Sequence, residues 1–332
     1  MKETIRVAIT GAGGQIASAL LPHLLSGEVF GKERRIALHL LEMPRGMKRL
    51  EGTVMELEDS AFPLLESTVI GDDPRAIFNG VHWVIFLAGK PRTKGMQRSD
   101  LLKVNGDIAK EHGKALVKAA QDVRILVVAN PANTNCLIAS TAAGEIPVER
   151  FAAMTSLDET RARAQLAKKA GLSAEEAHRV TNVAIWGNHS PTMHPDASHA
   201  RIDGELVSGM IDTGWLRGEF VELVQERGKR VIDTSGHSSA LSAAKAIADH
   251  IKHIITPTPD GEWFSAGILS DGSYGIPKDV VFSFPLVSDS KGNCRIVQGI
   301  VQDAFTKERL RATLDELLEE KKEAEALGLL SD

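Results

Sequence analysis

A histidine, an aspartate and an arginine are candidate members of one acid–base site for an anionic substrate. His189 follows a strand-like run and a glycine in Ile185–Ser190 (IWGNHS), so we expect it at the exposed end of a strand. A lone histidine is more often structural, and it becomes a candidate acid–base group only where a carboxylate orients it. Asp158 is the candidate carboxylate, and Arg161 shares its helix face at a spacing of three residues. A simple ion pair between Asp158 and Arg161 remains the alternative interpretation of that spacing.

A basic loop follows one of the apolar strand-like runs of the chain. Residues 88–98 (AGKPRTKGMQR) carry Arg92, Lys94 and Arg98, together with glycines that could act as hinges. Because the loop leaves the carboxyl end of a strand, we expect it at the edge of the sheet where open α/β folds bind ligands. Arginine grips a carboxylate with two parallel hydrogen bonds, and a mobile loop can close over a substrate and expel water. A solvated basic loop is the alternative.

A glycine-rich turn near the beginning of the chain has the pattern of a dinucleotide site. It lies between a predicted strand, Ile5–Thr10, and a predicted helix, Ile16–Leu25. Gly11 permits a tight turn, Gly14 removes a side chain where backbone approaches a pyrophosphate, and the helix N-terminus offers N–H groups to phosphates. The predicted cofactor-binding residues of this turn are Gly11, Ala12, Gly13, Gly14, Gln15, Ile16 and Ala17.

A glutamate at the end of the second predicted strand bears on which dinucleotide would bind. Glu42 follows the run Ile36–Leu41, where a carboxylate would accept hydrogen bonds from ribose hydroxyls and repel a 2′-phosphate. This favours NAD over NADP. Arg45 and Lys48 lie just beyond Glu42 and weaken the exclusion of NADP. An ordinary polar residue at a strand end is the alternative.

Two kinds of secondary-structure pattern must position these groups. In residues 1–153, continuous apolar runs alternate with helical segments, which predicts a doubly wound parallel sheet in an α/β fold, covered by helices on both faces. In residues 154–332, helices precede a group of strand-like runs, which predicts an α+β domain. The helical segments predicted there include Asp158–Ala170, Leu216–Asp233 and Ser238–Ile255.

The composition excludes several kinds of partner. The 332 residues carry a formal net charge of −5, so nothing indicates nucleic acid as a partner. We see neither a signal peptide nor an apolar run long enough to span a membrane, and we therefore expect the cytoplasm and no membrane partner. Two isolated cysteines, Cys136 and Cys294, form neither a disulfide framework nor a zinc cluster.

Six short segments of the chain carry a specific resemblance to a known family. The sequence resembles the lactate/malate dehydrogenase family, in the subgroup similar to cytosolic malate dehydrogenases, and the likeness runs nearly end to end. The family fold is a Rossmann-type domain followed by a substrate domain, usually in a homodimer. The segments are Gly11–Ile16, Met55–Leu65, Val127–Asn135, Ile185–Ser190, Ser238–Ala244 and Ser270–Pro277.

The resemblance implies reversible, NAD-dependent oxidation of (S)-malate to oxaloacetate, a step of the tricarboxylic acid cycle. It makes His189 the proton acceptor, Asp158 its partner and Arg161 the group that holds the C1 carboxylate. It also places Arg98 near the reacting carbonyl and Arg92 on a second carboxylate, where lactate enzymes carry an uncharged residue. The further residues that it implies near substrate or cofactor are Asn130, Ser242, Asn105, His112, Val128 and Ala129.

Some positions depart from the commonest family pattern. Glu42 stands where many relatives have aspartate, His112 replaces a glutamine, and Ala17 replaces the third glycine of the turn. Residues 233–237 (DTSGH) differ from the usual stretch before the serine-rich helix, which could alter the rim of a substrate pocket or a subunit contact.

Four other interpretations of these residues are less well supported. A lactate dehydrogenase would leave Arg92 without a second carboxylate, and a catalytically silent NAD-binding protein would not need the intact set of His189, Asp158 and arginines. A metal site at His189, His194 and His199 lacks a ligand spacing that stacks on one helix face. A short-chain reductase would need a Tyr-x-x-x-Lys helix, whereas the only tyrosine lies in a glycine-rich turn.

Overall fold

The molecule divides into two compact units that do not follow the chain in simple order. The computed structural model describes residues 3–91, 98–289 and 291–331, without the side chain of Arg98. The first unit contains residues 1–153 together with two later segments, 243–248 and 320–332. The second contains residues 154–242 and 249–319. The sequence analysis did not anticipate the two segments that return to the first unit.

Parallel strands form the sheet of the first unit, in the order β3-β2-β1-β4-β5-β6. This is the strand order of a Rossmann fold, so the predicted doubly wound sheet is confirmed. Sequence analysis did not predict β3 or β6, which are a largely half-buried strand and a three-residue strand. The strands are β1 (Thr4–Thr10), β2 (Arg35–Leu41), β3 (Leu65–Gly71), β4 (Trp83–Phe86), β5 (Arg124–Val127) and β6 (Phe151–Ala153).

The central strands of this sheet are apolar because both of their faces are covered. Val7, Ala8 and Ile9 of β1 are fully buried, and so is the whole of β4. Such continuous burial is expected of parallel strands packed between helix layers. The helices wholly within this unit are α1 (Gln15–Leu25), α2 (Met47–Ser60), α3 (Pro74–Ile77), α4 (Arg98–Ala115) and α5 (Ala132–Ala142).

The direction in which successive strands are added to the sheet reverses between β1 and β4, and this indicates where a ligand can bind. From β1 the sheet grows outward to β2 and β3, and from β4 it grows to β5 and β6 in the other direction. The carboxyl ends of β1 and β4 therefore face a crevice at the switch point, which is the standard binding place in such sheets. Gly11 and Ala88 stand at those two ends.

The last residues of the chain pack on the first unit. The ammonium group of Lys110 donates to the carbonyl oxygens of Gly328 and Ser331, at 2.9 and 2.5 Å. A Cβ atom at Gly106 would lie 2.6 Å from Leu329, so the tail presses directly on α4. Glu320 is buried and accepts a hydrogen bond from Thr134.

Antiparallel strands and helices make up the second unit, as the α+β expectation requires. β12 pairs with β13 and β13 with β14, while β8 pairs with β9 and β10 pairs with both β7 and β11. The strands are β7 (Val180–Thr181), β8 (Ala184–Trp186), β9 (His194–Asp196), β10 (Arg201–Ile202), β11 (Glu205–Leu206), β12 (Phe264–Leu269), β13 (Val281–Ser288) and β14 (Cys294–Ile296). The helices are α6 (Ser156–Lys169), α7 (Thr213–Arg217), α8 (Glu219–Gln225) and α9 (Arg227–Ser235), and α10 (Leu241–Ile255) and α11 (Ala304–Ala326) contribute residues to both units.

One helix prediction was wrong. The segment Leu216–Asp233 was expected to form a single helix, and it is divided among α7, α8 and α9. Gly218 has φ −112° and ψ −96°, which lies far from helical values and ends α7. Periodicity alone could not show this break, because apolar residues continue on both sides of it.

Apolar side chains from α6, α8 and the short strands form the core of the second unit. Phe220 and Val224 of α8 are fully buried against this cluster. Its other fully buried members include Ala162, Leu166, Val180, Ile185, Ala200 and Val207. This core holds α6 in a fixed position, and the first turn of α6 carries Asp158.

Two general features of the fold bear on the sequence predictions. In the part of the chain that the structure describes, no helix is long and apolar enough to cross a membrane. Among the described residues neither Cys136, which is buried, nor Cys294, which is half-buried, forms a disulfide. Burial raises the pKa of the Cys136 thiol far above its usual range, so this group is chemically inert.

Candidate active site

Backbone geometry at the glycine-rich turn fits the pyrophosphate of a dinucleotide. Gly11 has φ +64°, and a Cβ atom there would lie 3.1 Å from the backbone of Ala88. Gly14 is the N-cap of α1 and supplies no side-chain cap, so the helix N-terminus keeps its donors directed at the turn. A Cβ atom at Gly14 would lie 3.1 Å from the carbonyl oxygen of Gly11. The turn is thus a tight cradle, in which Gly11 has a positive φ and side chains at Gly11 and Gly14 would crowd the neighbouring backbone.

Glu42 lies against this cradle, as its place at the end of β2 predicted. Its Oε2 accepts the N–H of Gly13 at 3.0 Å and its Oε1 accepts the N–H of Met43 at 2.8 Å. A Cβ atom at Gly13 would lie 3.1 Å from Oε2. The carboxylate is therefore held beside the turn, where a ribose hydroxyl could reach it.

Asn105 holds together the loops that follow two neighbouring strands. Its side chain accepts the N–H of Lys90 at 2.7 Å and donates to the carbonyl oxygens of Lys90 and Asn130, at 3.1 and 2.6 Å. The N–H groups of Val128 and Ala129 both bond to the carbonyl oxygen of Phe86. The side chain of Asn130 is exposed. Asn105 thus acts on the backbone, and direct contact between this group of residues and the cofactor stays a prediction.

His112 packs in the interior of the first unit. Its ring meets Phe78 and Phe86 edge to face, with centroids 5.8 and 5.1 Å apart. Burial lowers the pKa of His112 to about 4, so the ring is neutral at physiological pH. The structure gives His112 a packing role, and its predicted place near the cofactor stays a prediction.

The second unit brings His189 and Asp158 into direct contact. Nδ1 of His189 lies 2.5 Å from Oδ2 of Asp158. Asp158 is fully buried in the first turn of α6, whereas the His189 side chain is 16% exposed. A carboxylate on Nδ1 selects the tautomer that has its lone pair on Nε2. The pair thus has the arrangement that a general base requires.

Arg161 bonds to the same carboxylate and also to a serine of the second unit. Arg161 donates to Oδ1 of Asp158 at 3.2 Å and to Oγ of Ser239 at 3.2 Å. The ion pair considered in the sequence is therefore present, and it is part of the same cluster as His189. A Cβ atom at Gly228 would lie 3.6 Å from the guanidinium, and Ser242 is exposed in the first turn of α10.

The two loop arginines are not placed. Arg92 lies outside the described residues, and Arg98 begins α4 with its side chain outside the description. The roles inferred for them remain predictions. The same holds for the contacts inferred for Asn130 and Ser242, whose side chains are exposed.

Sequence reasoning missed several buried polar side chains that hold the first turn of α6, the helix that carries Asp158. Glu159 is buried and accepts the N–H of Ser265 at 2.6 Å, and burial raises its pKa to about 7. His250 lies 2.8 Å from Oγ of Ser156, and burial lowers its pKa to about 3. These pairs are separated by 106 and 94 residues, so no local spacing could reveal them.

The structure bears on two of the alternative interpretations, the metal site and the short-chain reductase. Among the described residues no group of three or more histidine, cysteine, aspartate or glutamate side chains could hold a metal ion. The hydroxyl of Tyr274 donates to the carbonyl oxygen of Val297 at 2.5 Å, and its ring packs edge to face on Trp186. The tyrosine therefore stabilises the second unit.

Comparison with known proteins matches two consecutive parts of the chain to the two domains of one family. The model of the lactate/malate dehydrogenase NAD binding domain matches residues 5–152, and that of the alpha/beta C-terminal domain matches residues 155–327. A malate dehydrogenase of Magnetococcus marinus is 48% identical over 322 residues, which cover 97% of each chain.

Two solved structures extend the likeness to three dimensions. The malate dehydrogenase of Naegleria fowleri matches with a TM-score of 0.92 at 41% identity, over 98% of each chain. A Trichomonas vaginalis lactate dehydrogenase, in complex with NADH and oxamate, matches with a TM-score of 0.91 at 36% identity, over 97% of this chain and 98% of that one. With both family domains matched in order and a histidine–aspartate pair in place, the chain belongs to the lactate/malate dehydrogenase family.

Proposed function

We propose that the chain is an NAD-dependent malate dehydrogenase, which interconverts (S)-malate and oxaloacetate. One observation carries the proposal: the 2.5 Å contact of His189 with buried Asp158, whose other oxygen accepts from Arg161. The match to a malate dehydrogenase at 48% identity supports the choice of substrate. Residues 1–153 would bind the cofactor, and residues 154–332 would supply the acid–base and substrate groups.

The glycine-rich turn and Glu42 would hold the dinucleotide. The turn offers unobstructed backbone and a helix N-terminus to the phosphates, and the Glu42 carboxylate lies beside it for the ribose. Bound NAD supplies the hydride acceptor, and NADH the hydride donor. We include Gln15, Ile16, Asn105 and His112 in the site, together with the backbone of residues 128–130.

His189 would move the hydroxyl proton of malate. Its Nε2 accepts that proton as the carbonyl forms, and Asp158 stabilises the resulting imidazolium through Nδ1. In the reverse direction, His189 returns the proton to the alkoxide. We assign Arg98 to the charge that develops on that oxygen, and Asn130 and Ser242 to further substrate contacts.

Arginines would bind the two carboxylates of the substrate. We assign Arg161 to the C1 carboxylate, where a planar guanidinium fixes orientation as well as charge. We assign Arg92 to the second carboxylate. Arg161 already donates to Asp158 and Ser239, which leaves it held in place while the remaining N–H groups serve a substrate.

A lactate dehydrogenase is the second candidate, because one close structural relative is a lactate dehydrogenase. The test is NADH oxidation against oxaloacetate, pyruvate, 2-oxoglutarate and hydroxypyruvate, with wild type and Arg92→Gln. We expect wild type to prefer oxaloacetate, and the substitution to impair oxaloacetate far more than pyruvate. A wild-type preference for pyruvate would favour the second candidate, and equal losses on both substrates would remove Arg92 from the second carboxylate.

We further propose a homodimer that acts in the cytoplasm, in the tricarboxylic acid cycle. The family resemblance supports the dimer. Sedimentation should give twice the 35.8 kDa mass of one chain, and a single-chain mass would contradict the proposal.

A further inference from the structure

The loop that carries His189 is held by a helix from a distant part of the chain. Oε2 of Glu316, on α11, accepts from Nδ2 of Asn188 at 2.8 Å and from the hydroxyl of Ser190. The hydroxyl of Thr192 also reaches this oxygen, at 2.6 Å. A single carboxylate oxygen therefore binds the residues on both sides of His189.

A threonine one turn earlier on α11 bonds to the backbone of the same loop. Thr313 is fully buried, and its Oγ1 accepts the N–H of Asn188 at 2.9 Å. The Thr192 hydroxyl lies 3.0 Å from the same oxygen. Because Thr313 and Glu316 are three residues apart, they share one face of the helix.

Close packing at Gly187 seats this helix face on the loop. A Cβ atom there would lie 2.2–2.7 Å from the Thr313 side chain, so the helix approaches the bare backbone of Gly187. On its other side, Gly187 exchanges two backbone hydrogen bonds with Ser283 of β13, at 3.2 and 2.9 Å. The loop is thus fixed by α11 and by β13.

We propose that Glu316 and Thr313 are positioning residues, which hold His189 in register with Asp158. Asp158 is seated on α6, whereas His189 lies on the loop, so their short contact depends on what places the loop. A misplacement of about 1 Å can reduce the rate of a reaction about 100-fold. This inference rests on the proposed function, since it concerns the base of that reaction.

The main test compares Glu316→Ala with Glu316→Gln and with Glu319→Ala, an exposed residue of the same helix. We expect Glu316→Ala to lower kcat about 10- to 100-fold with KM for NADH changed less than about 3-fold, because the cofactor residues lie elsewhere. Glu316→Gln keeps an acceptor oxygen and should restore most of the activity. Glu319→Ala should match wild type. A kcat for Glu316→Ala equal to that of Glu319→Ala would overturn the proposal.

Two further readouts separate positioning from general loss of structure. The solvent deuterium isotope effect on kcat should rise in Glu316→Ala, because transfer of the proton to a misplaced His189 becomes rate-limiting. In a His189→Gln background, Glu316→Ala should cause no additional loss. An additional loss of the same size there would show that Glu316 acts independently of His189, and would contradict the proposal.

A second pair of variants serves where Glu316→Ala does not fold. Thr313→Val keeps the volume but removes the acceptor for the Asn188 N–H, whereas Thr313→Ser keeps the oxygen. We expect the valine variant to lose activity and the serine variant to retain it. Equal activity in both would contradict the role of Thr313.

An NMR readout does not depend on turnover. A short hydrogen bond on Nδ1 of His189 should give a low-field proton signal, identified by its absence in His189→Gln. The signal should disappear in Glu316→Ala and persist in Glu316→Gln. If the wild type were inactive on every substrate tried but showed this NMR pattern, only the proposed function would fail. A signal unchanged in Glu316→Ala would overturn only the positioning proposal.

Discussion

At the scale of single residues, the site depends on a contrast between buried and accessible groups. Asp158 is fully buried, whereas the His189 and Arg161 side chains keep 16% and 13% of their surface exposed. A buried carboxylate with two partners is fixed in place, and the groups it fixes remain open to a small acid. The buried member orients the pair, and the accessible members are the ones that we propose to meet the substrate.

The first prediction concerns the base. His189→Ala should lower kcat at least about 100-fold, since a positioned acid–base group contributes roughly 100- to 10,000-fold. Binding of NADH, followed by quenching of protein fluorescence, should stay as in wild type, because the glycine-rich turn is unchanged. If the variant kept more than a small fraction of wild-type kcat, His189 would not be the base.

Glu42 governs a second prediction, on coenzyme choice. With its carboxylate held beside the glycine turn, wild type should give a higher kcat/KM with NADH than with NADPH. Glu42→Ala should narrow this preference, because the repulsion of a 2′-phosphate is lost. A wild-type preference for NADPH would contradict the assignment of NAD.

Glu159 supports a third prediction, on stability against pH. Burial raises its pKa from 4.5 to about 7, so between these values the folded protein binds more protons than the unfolded chain. The free energy of unfolding contributed by Glu159 should therefore fall as pH rises through this window, by up to about 3 kcal/mol. Facing groups that modify the effect are Arg163, which lowers the pKa, and Asp249, which raises it.

The measurement is urea denaturation between pH 4.5 and 7.5 for wild type and Glu159→Gln. The free energy of unfolding of Glu159→Gln, relative to that of wild type, should increase as pH rises. Glu175→Gln, at an exposed position, serves as the control. A difference that is flat across this range would show that Glu159 is charged at all these pH values.

At the scale of elements, the parts that could be read from sequence are those with a local signal. The turn at Gly11–Gly14 has its chemistry within four residues, β4 is a continuous apolar run, and β1 contains one at residues 7–9. The contact of Thr313 with the His189 loop spans 125 residues, and no periodicity records it. The break at Gly218 was missed for a related reason, because a helical pattern continues through a residue whose backbone is not helical.

A fourth prediction concerns the close packing of α11 on the His189 loop. Gly187 and Gly204 both have positive φ, +96° and +88°, but only Gly187 has a neighbour where a Cβ atom would lie. Gly204→Ala should cost about 1–2 kcal/mol of unfolding free energy for backbone strain alone. Gly187→Ala should cost about 2–5 kcal/mol, because overpacking against Thr313 is added to the strain. Equal costs in chemical denaturation would show that α11 moves aside freely.

At the scale of the whole molecule, the residues proposed for cofactor binding and those proposed for proton transfer lie in different units. The first holds the residues assigned to NAD, and the second holds the dyad and the arginine assigned to the C1 carboxylate. Cofactor binding and proton transfer can therefore be impaired separately, by substitutions in different units.

A fifth prediction follows from that separation. NADH at about 100 times its Kd should raise the apparent free energy of unfolding by about 2.7 kcal/mol. His189→Ala should show the same increase, whereas Gly14→Val should lose it, because a side chain would enter the phosphate cradle. Denaturation with and without NADH measures both, and an undiminished increase in Gly14→Val would place the phosphates elsewhere.

The return of residues 320–331 to the first unit has a consequence for how the chain is made. The ribosome releases these residues after all the others that the two units contain, yet Glu320 and Leu329 pack on Thr134 and Gly106. The cofactor-binding half thus begins to be synthesised first and is completed last. A premature stop after residue 319 would leave the whole glycine-rich turn in the translated product, while removing part of the packing behind it.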